Sequence, residues 1–134
     1  MMRRAFVISF LMALSALASL HSDAQITINI RYTSQDGGAR KYVEEMEKSG
    51  IATRIRAIEG CLGYDYFYPA DDPDGLLLID SWENQEALNR YHSSPAMKEA
   101  SDLREKYGLG GRTIKVYRPI DPQREEKSSE QKKP

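Results

Sequence analysis

Beyond residue 24 the chain carries a single histidine, His92. Histidine is the side chain whose ordinary titration lies closest to neutral pH, so His92 is the first candidate for a proton acceptor. It follows Leu88 by four residues, which places the two on one helical face. A histidine near a helix end also interacts favourably with the helix dipole, a structural use of the same residue. Tyr91 has a hydroxyl that can donate a hydrogen bond to a substrate oxygen, or a ring that simply packs. Trp82, Asp80 and Leu78 are spaced by two, so an extended segment puts them on one face. An indole there serves as core, as pocket wall, or as both. Asn29 is polar within an apolar run. Facing inward its amide would orient a substrate; an outward polar residue of an alternating strand is the simpler account.

Leu62, Tyr64, Tyr66 and Tyr68 share one face of a second extended segment, an aromatic stripe suited to packing. Cys61 is the only cysteine. A reactive thiol needs an electropositive setting, and Glu59 and Asp65 nearby argue for packing instead. Asp71, Asp72 and Asp74 surround Pro73, but the segment lacks a calcium loop with a distal bidentate glutamate and reads as a solvated turn. No cluster of His, Cys and acids has metal-ligand spacing. Gly108 to Gly111 follows a helical segment rather than a strand, so it is no phosphate loop.

These residues need elements to hold them. Ile26 to Thr33 alternates apolar and polar, the pattern of a half-buried strand. Residues 39–58 read as a helix, with a phase slip between Met46 and Ile51 that predicts a bend or break at Gly50. Gly60 suits a left-handed cap. Residues 62–68 and 76–82 form a hairpin around the turn segment Pro69 to Gly75. Asn84 caps a helix over Gln85 to His92, and Ser94 with Pro95 opens another. Arg112 to Tyr117 is a fourth strand. The order strand, helix, strand, strand, helix pair, strand predicts an α+β, ferredoxin-like fold: one antiparallel sheet with helices on one face. Leu76 to Ile79 is apolar on both faces, so the face without helices needs a cover. A second copy, sheet against sheet, is the simplest one, and a homodimer is expected.

The ends of the chain differ in composition from the middle. Arg3 and Arg4 precede 16 uncharged residues, Ala5 to Leu20, and then Ser22-Asp23-Ala24. This is the layout of a secretory signal peptide, and the apolar run is shorter than the roughly 20 residues of a membrane span. Residues 1–24 are read as the signal, 25–118 as the domain and 119–134 as a disordered, charged tail. The expected product is exported, periplasmic or secreted, with no stable membrane anchor after cleavage. Losing Arg3, Arg4 and Asp23 turns the net charge of −1 into −2, which gives no basic excess for nucleic acid.

Ile58-Glu59-Gly60-Cys61-Leu62-Gly63-Tyr64 resembles the E-G-C-x-x-Y signature of the antibiotic biosynthesis monooxygenase family. Asp80-Ser81-Trp82-Glu83 resembles its E-x-W-E strand end, and Ala87-Leu88, Ser94-Pro95 and Met97-Lys98 resemble its following helical segment. Together these span about residues 26–118. The resemblance implies a dimeric α/β barrel and oxygenation without metal or flavin. A phenol or anthrone would lose a proton and its anion would pass an electron to O₂. It implies a pocket walled by Trp82 with Tyr64 beside it; joined to the residue readings above, this gives His92, Trp82 and Tyr91 as the catalytic candidates and Asn29, Tyr64, Asp80 and Leu88 as the substrate-binding ones. The chain departs from the pattern at Asp80, where the family has glutamate. It departs again at Tyr91 and Ala96, where the family has histidines. Since one helical residue turns the chain by about 100°, His92 points differently from the family's first histidine. The leading expectation is a cofactor-independent monooxygenase of quinol-like or polycyclic aromatic molecules. The alternatives are a non-catalytic binding protein for an apolar small molecule, and haem binding or degradation. The haem-degrading relatives use an Asn, Trp and His set whose histidine position is Ser101 here.

The leader pattern gives the first expected outcome. Mass spectrometry of the exported protein should find Gln25 at the N-terminus; an intact, membrane-bound N-terminus would refute this reading.

Overall fold

The computed structural model describes residues 24–121. The signal-peptide reading and residues 122–134 of the tail reading fall outside them. Strand β1 (Ile26–Thr33) leads into α1 (Gly38–Lys48) and α2 (Ile51–Arg56). The hairpin of β2 (Cys61–Phe67) and β3 (Leu76–Trp82) follows, then α3 (Gln85–His92), α4 (Pro95–Lys106) and β4 (Gly110–Tyr117). All three ladders are antiparallel and the sheet order is β2-β3-β1-β4. This is the expected ferredoxin-like arrangement, with the helices on one face.

The single helical segment over 39–58 is two helices. Gly50 takes φ +80° between them, a conformation that costs glycine little, and the chain restarts with Ile51 and Ile55 buried. Asn84 accepts from the Ala87 amide at 2.9 Å and Ser94 from the Met97 amide at 3.2 Å, so both expected caps start their helices. Gly60 has φ +87°, and a Cβ there would sit 2.4 Å from the Ala87 methyl. A glycine at this point lets α3 lie directly on the start of β2.

On the helix side of the sheet lie Ile26, Ile28 and Tyr32 of β1, Leu76, Leu78, Asp80 and Trp82 of β3, and Tyr64 of β2, all buried. The expected stripe on β2 needs one correction. Cys61 stands opposite Trp82 and Gly63 opposite Ser81, so Leu62 is the extra residue of a bulge. It is turned out to solvent, 51% exposed, while Cys61 packs against the core.

The other face carries the alternate residues. Thr27 and Ser81 hydrogen-bond across it at 2.8 Å. Leu77 pairs with Arg31 and Phe67, and Ile79 with Asn29 and Asp65. Leu77 and Ile79 are half-buried, and Phe67 and Tyr117 are about half exposed. Covering this patch with a second copy would take it out of water. The expected outcome is a dimer in sedimentation and a monomer for Leu77→Asp. The variant should still fold, because Arg31 stands opposite position 77. A monomeric unmutated chain at micromolar concentration would refute this.

Candidate active site

β3 is hydrogen-bonded on both sides and buried on its helix side, so a charged residue there must find a partner. Asp80 is 2% exposed, and its Oδ2 accepts from the Trp82 indole Nε1 at 2.7 Å. The bond follows from strand geometry, since side chains two apart share a face. Oδ1 is also buried and has no hydrogen-bond partner among the described residues. Burial raises the Asp80 pKa above its ordinary value; the Trp82 bond and the nearby His92 act in the opposite sense.

Aromatic contacts fix α3 over this pair. The Tyr91 ring stacks on Trp82 with centroids 4.9 Å apart and planes 11° from parallel. Its hydroxyl lies 3.5 Å from that of Tyr64, whose ring it meets edge-on. Burial pushes the Tyr91 phenol up to about 12. At neutral pH Tyr91 therefore offers a hydrogen bond and cannot serve as a base. The backbone turns after it because Ser94 donates to the Tyr91 carbonyl at 2.7 Å.

In front of Asp80 opens a cleft of about 430 Å³ between the sheet and the pair α3 and α4. Ile28, Ile30 and Leu78 form its floor, Leu88 and Met97 its helix side, and Ile114 and Val116 its outer wall. Asp80, Tyr91 and His92 reach it near α3, and Tyr32, Arg104 and Arg112 also line it. His92 is exposed.

The expected site residues divide into three groups. Asp80, Leu88, Tyr91 and His92 line the cleft together. Trp82 and Tyr64 do not: they are 0% and 1% exposed and form a second layer that holds Asp80 and Tyr91. The expectation that Trp82 walls the pocket directly is corrected on this point. Its indole points along β3 to Asp80 and its face is covered by Tyr91. For Asn29 the substrate-binding reading gives way to the simpler account of an outward polar residue. Strand alternation puts it on the opposite sheet face, with Ile79 and Lys115 as ladder neighbours. Cys61 keeps a raised pKa through burial, consistent with packing.

Arg104 was not anticipated. It is 9% exposed, on the same face of α4 as Met97 and Ala100. Its spacing of seven and four from those residues was the available signal. Its more apolar neighbour Leu103 is only partly buried.

Residues 25–103 match the model of the antibiotic biosynthesis monooxygenase family. The chain belongs to this family. Solved structures resemble it in fold. A candidate antibiotic biosynthesis monooxygenase from Caulobacter crescentus aligns over 73% of this chain and 92% of its own, with TM-score 0.65 and 14% identity. A protein from Pseudomonas aeruginosa aligns over 73% and 96%, with TM-score 0.62 and 22% identity. A conserved Bacteroides thetaiotaomicron protein aligns over 72% and 99%, with TM-score 0.63 and 16% identity. Comparison with curated proteins finds no match. In this member of the family, the position after Ser94-Pro95 is filled by Ala96, buried and apolar, and the side chain before Trp82 on its face is the shorter carboxylate.

Asp80→Asn tests the electrostatics. The folded-state pKa of Asp80 is raised, so its charge costs stability above that pKa, and the cost disappears as pH falls toward the ordinary value of 3.8. An asparagine keeps an acceptor for Trp82 and carries no charge. The variant should therefore melt higher than the unmutated protein at pH 7, and the gap should close toward pH 4. A variant that melts lower at pH 7 would contradict the burial of an uncompensated charge.

Proposed function

We propose that the protein is a cofactor-independent monooxygenase of quinol-like or polycyclic aromatic molecules. The observation that carries this reading is Asp80. One of its oxygens is held by Trp82, while the other is unpartnered and belongs to a residue that lines an apolar cleft. A carboxylate taken out of water is a stronger proton acceptor than one in solvent, and pKa matching favours its use as a general base. In this reading Asp80 Oδ1 takes a proton from the substrate's hydroxyl or activated methylene. The resulting anion passes an electron to O₂, a carbon–oxygen bond forms, and the O–O bond breaks. One oxygen atom stays on the substrate carbon as a carbonyl, and the other leaves as water with the two hydrogens. Tyr91 supports the anion by donating a hydrogen bond, and the aliphatic walls keep bulk water from the intermediate. His92, at the exposed side, favours the ionised form of Asp80 and so readies it to accept.

Family membership supports the class of reaction; the role of base falls to Asp80 by burial, in preference to His92, the first candidate on sequence. Oxygen uptake against a panel of hydroquinones and anthrones tests the reading. Asp80→Asn should lower kcat by about 10²-fold or more, the usual loss for a general base, and His92→Ala by less than about tenfold. Turnover should survive treatment with a chelator. If His92→Ala is the more damaging change, the base is His92. If no compound on the panel consumes oxygen, the protein is better read as a binding protein for an apolar molecule.

A further inference from the structure

The cleft contains a second buried charge that the proposed chemistry does not use. Arg104 emerges from α4 into the cleft, nine-tenths buried. Its guanidinium lies over the Tyr32 ring, 5.9 Å from the centroid, and the other groups that act on it are the phenols of Tyr42 and Tyr91. No carboxylate faces it among the described residues. A guanidinium stays charged at any working pH and offers a planar fork of donors. Burying it without an anion is costly, and a ring face offsets only part of that cost. Arg112 of β4 stands beside the same Tyr32 at the exposed lip, adding a second positive charge to this end.

We propose that this end of the cleft binds an ionised carboxylate, so that the ligands of the site are aromatic acids. The proposal rests on reading the cleft as the substrate site. It sets their orientation as well. Asp80 lies opposite Ile28 on β1, and Arg104 covers Tyr32, four residues further along. At about 3.3 Å per strand residue the two strand positions are roughly 13 Å apart. A fused system of two or three rings with its carboxylate in the Arg104 fork would bring its far ring toward Asp80. Two charges of opposite sign then divide the work: the cation anchors, and the carboxylate takes the proton. The anchoring is also selective, because an acid bound the other way round would set its carboxylate against that of Asp80.

The test is binding without turnover. Titration calorimetry compares anthracene-2-carboxylate with its neutral carboxamide, a pair of closely similar shape. The unmutated protein should bind the carboxylate about tenfold or more tightly than the amide, as expected of a charge-assisted bidentate contact. Arg104→Gln should erase that preference while leaving the amide affinity within about twofold. Arg104→Lys, which keeps the charge but loses the fork, should fall between, and it replaces the glutamine variant if that one fails to fold. Equal affinity of the two compounds for the unmutated protein would overturn the proposal. So would a preference that survives Arg104→Gln, or failure of both compounds to bind at millimolar concentration. The outcome is separable from the oxygenase reading. A preference that depends on Arg104, with no oxygen uptake on any quinol, leaves this proposal standing and removes that one. Oxygen uptake with no preference does the reverse.

Discussion

The hydrogen bond from the Trp82 indole to Asp80 organises the rest of the site. A carboxylate on the helix side of a central strand is cut off from water, and a single strong donor is the least that will hold it. Using the indole for this purpose fixes the plane of the ring. A fixed ring plane then gives Tyr91 a flat surface to stack on, and Tyr91 in turn meets Tyr64. The orientation of α3 is thus set by aromatic contact on one side and by Gly60 on the other, where only a missing Cβ allows Ala87 to approach. The same contacts leave Asp80 Oδ1 without a partner among the described residues, as the Tyr42 and Tyr66 hydroxyls are, and of these three residues Asp80 alone lines the cleft.

The cleft is polar in a directed way. Its walls are aliphatic, but a buried anion stands in the section of the sheet around Ile28 and a buried cation in the section around Tyr32. Each is supported by aromatic side chains rather than by the other. Had Asp80 and Arg104 been placed in contact, they would have neutralised one another and the cleft would offer a ligand little beyond apolar surface. Their separation keeps both available, at some expense in stability, which is the usual relation between a working site and the fold that holds it.

Much of this was legible from residue order. The alternation of Ile26, Ile28 and Ile30 with Thr27 and Asn29 gave β1 and its faces. Asn84, Ser94 and Gly50 marked helix boundaries, because capping and left-handed turns depend on local chemistry. Leu62 was misread because a bulge is decided by the partner strand, and one extra residue reverses every side chain beyond it. Trp82 was placed on the correct face but one layer too far forward, since periodicity gives direction and not depth. Arg104 escaped notice because its charge masked a position that its spacing from Met97 and Ala100 assigned to the buried stripe. The part played by Ile114 and Val116 depends on the pairing of β4 with β1, a contact between distant segments that no local pattern encodes.

That pairing has a consequence for how the cleft breathes. β4 is an edge strand, joined to the sheet by its ladder to β1 alone, and its cleft-side residues Ile114 and Val116 are 45% and 52% exposed. Edge strands with little packing behind them sit low on a protein's ladder of local unfolding energies. The outer wall of the cleft can therefore peel away without the core coming apart. An occupant lying between this wall and α4 would tie the two together, and the amide hydrogens of β4 would exchange with solvent more slowly. Exchange protection along residues 112–117 thus reports occupancy of the cleft whether or not any chemistry follows.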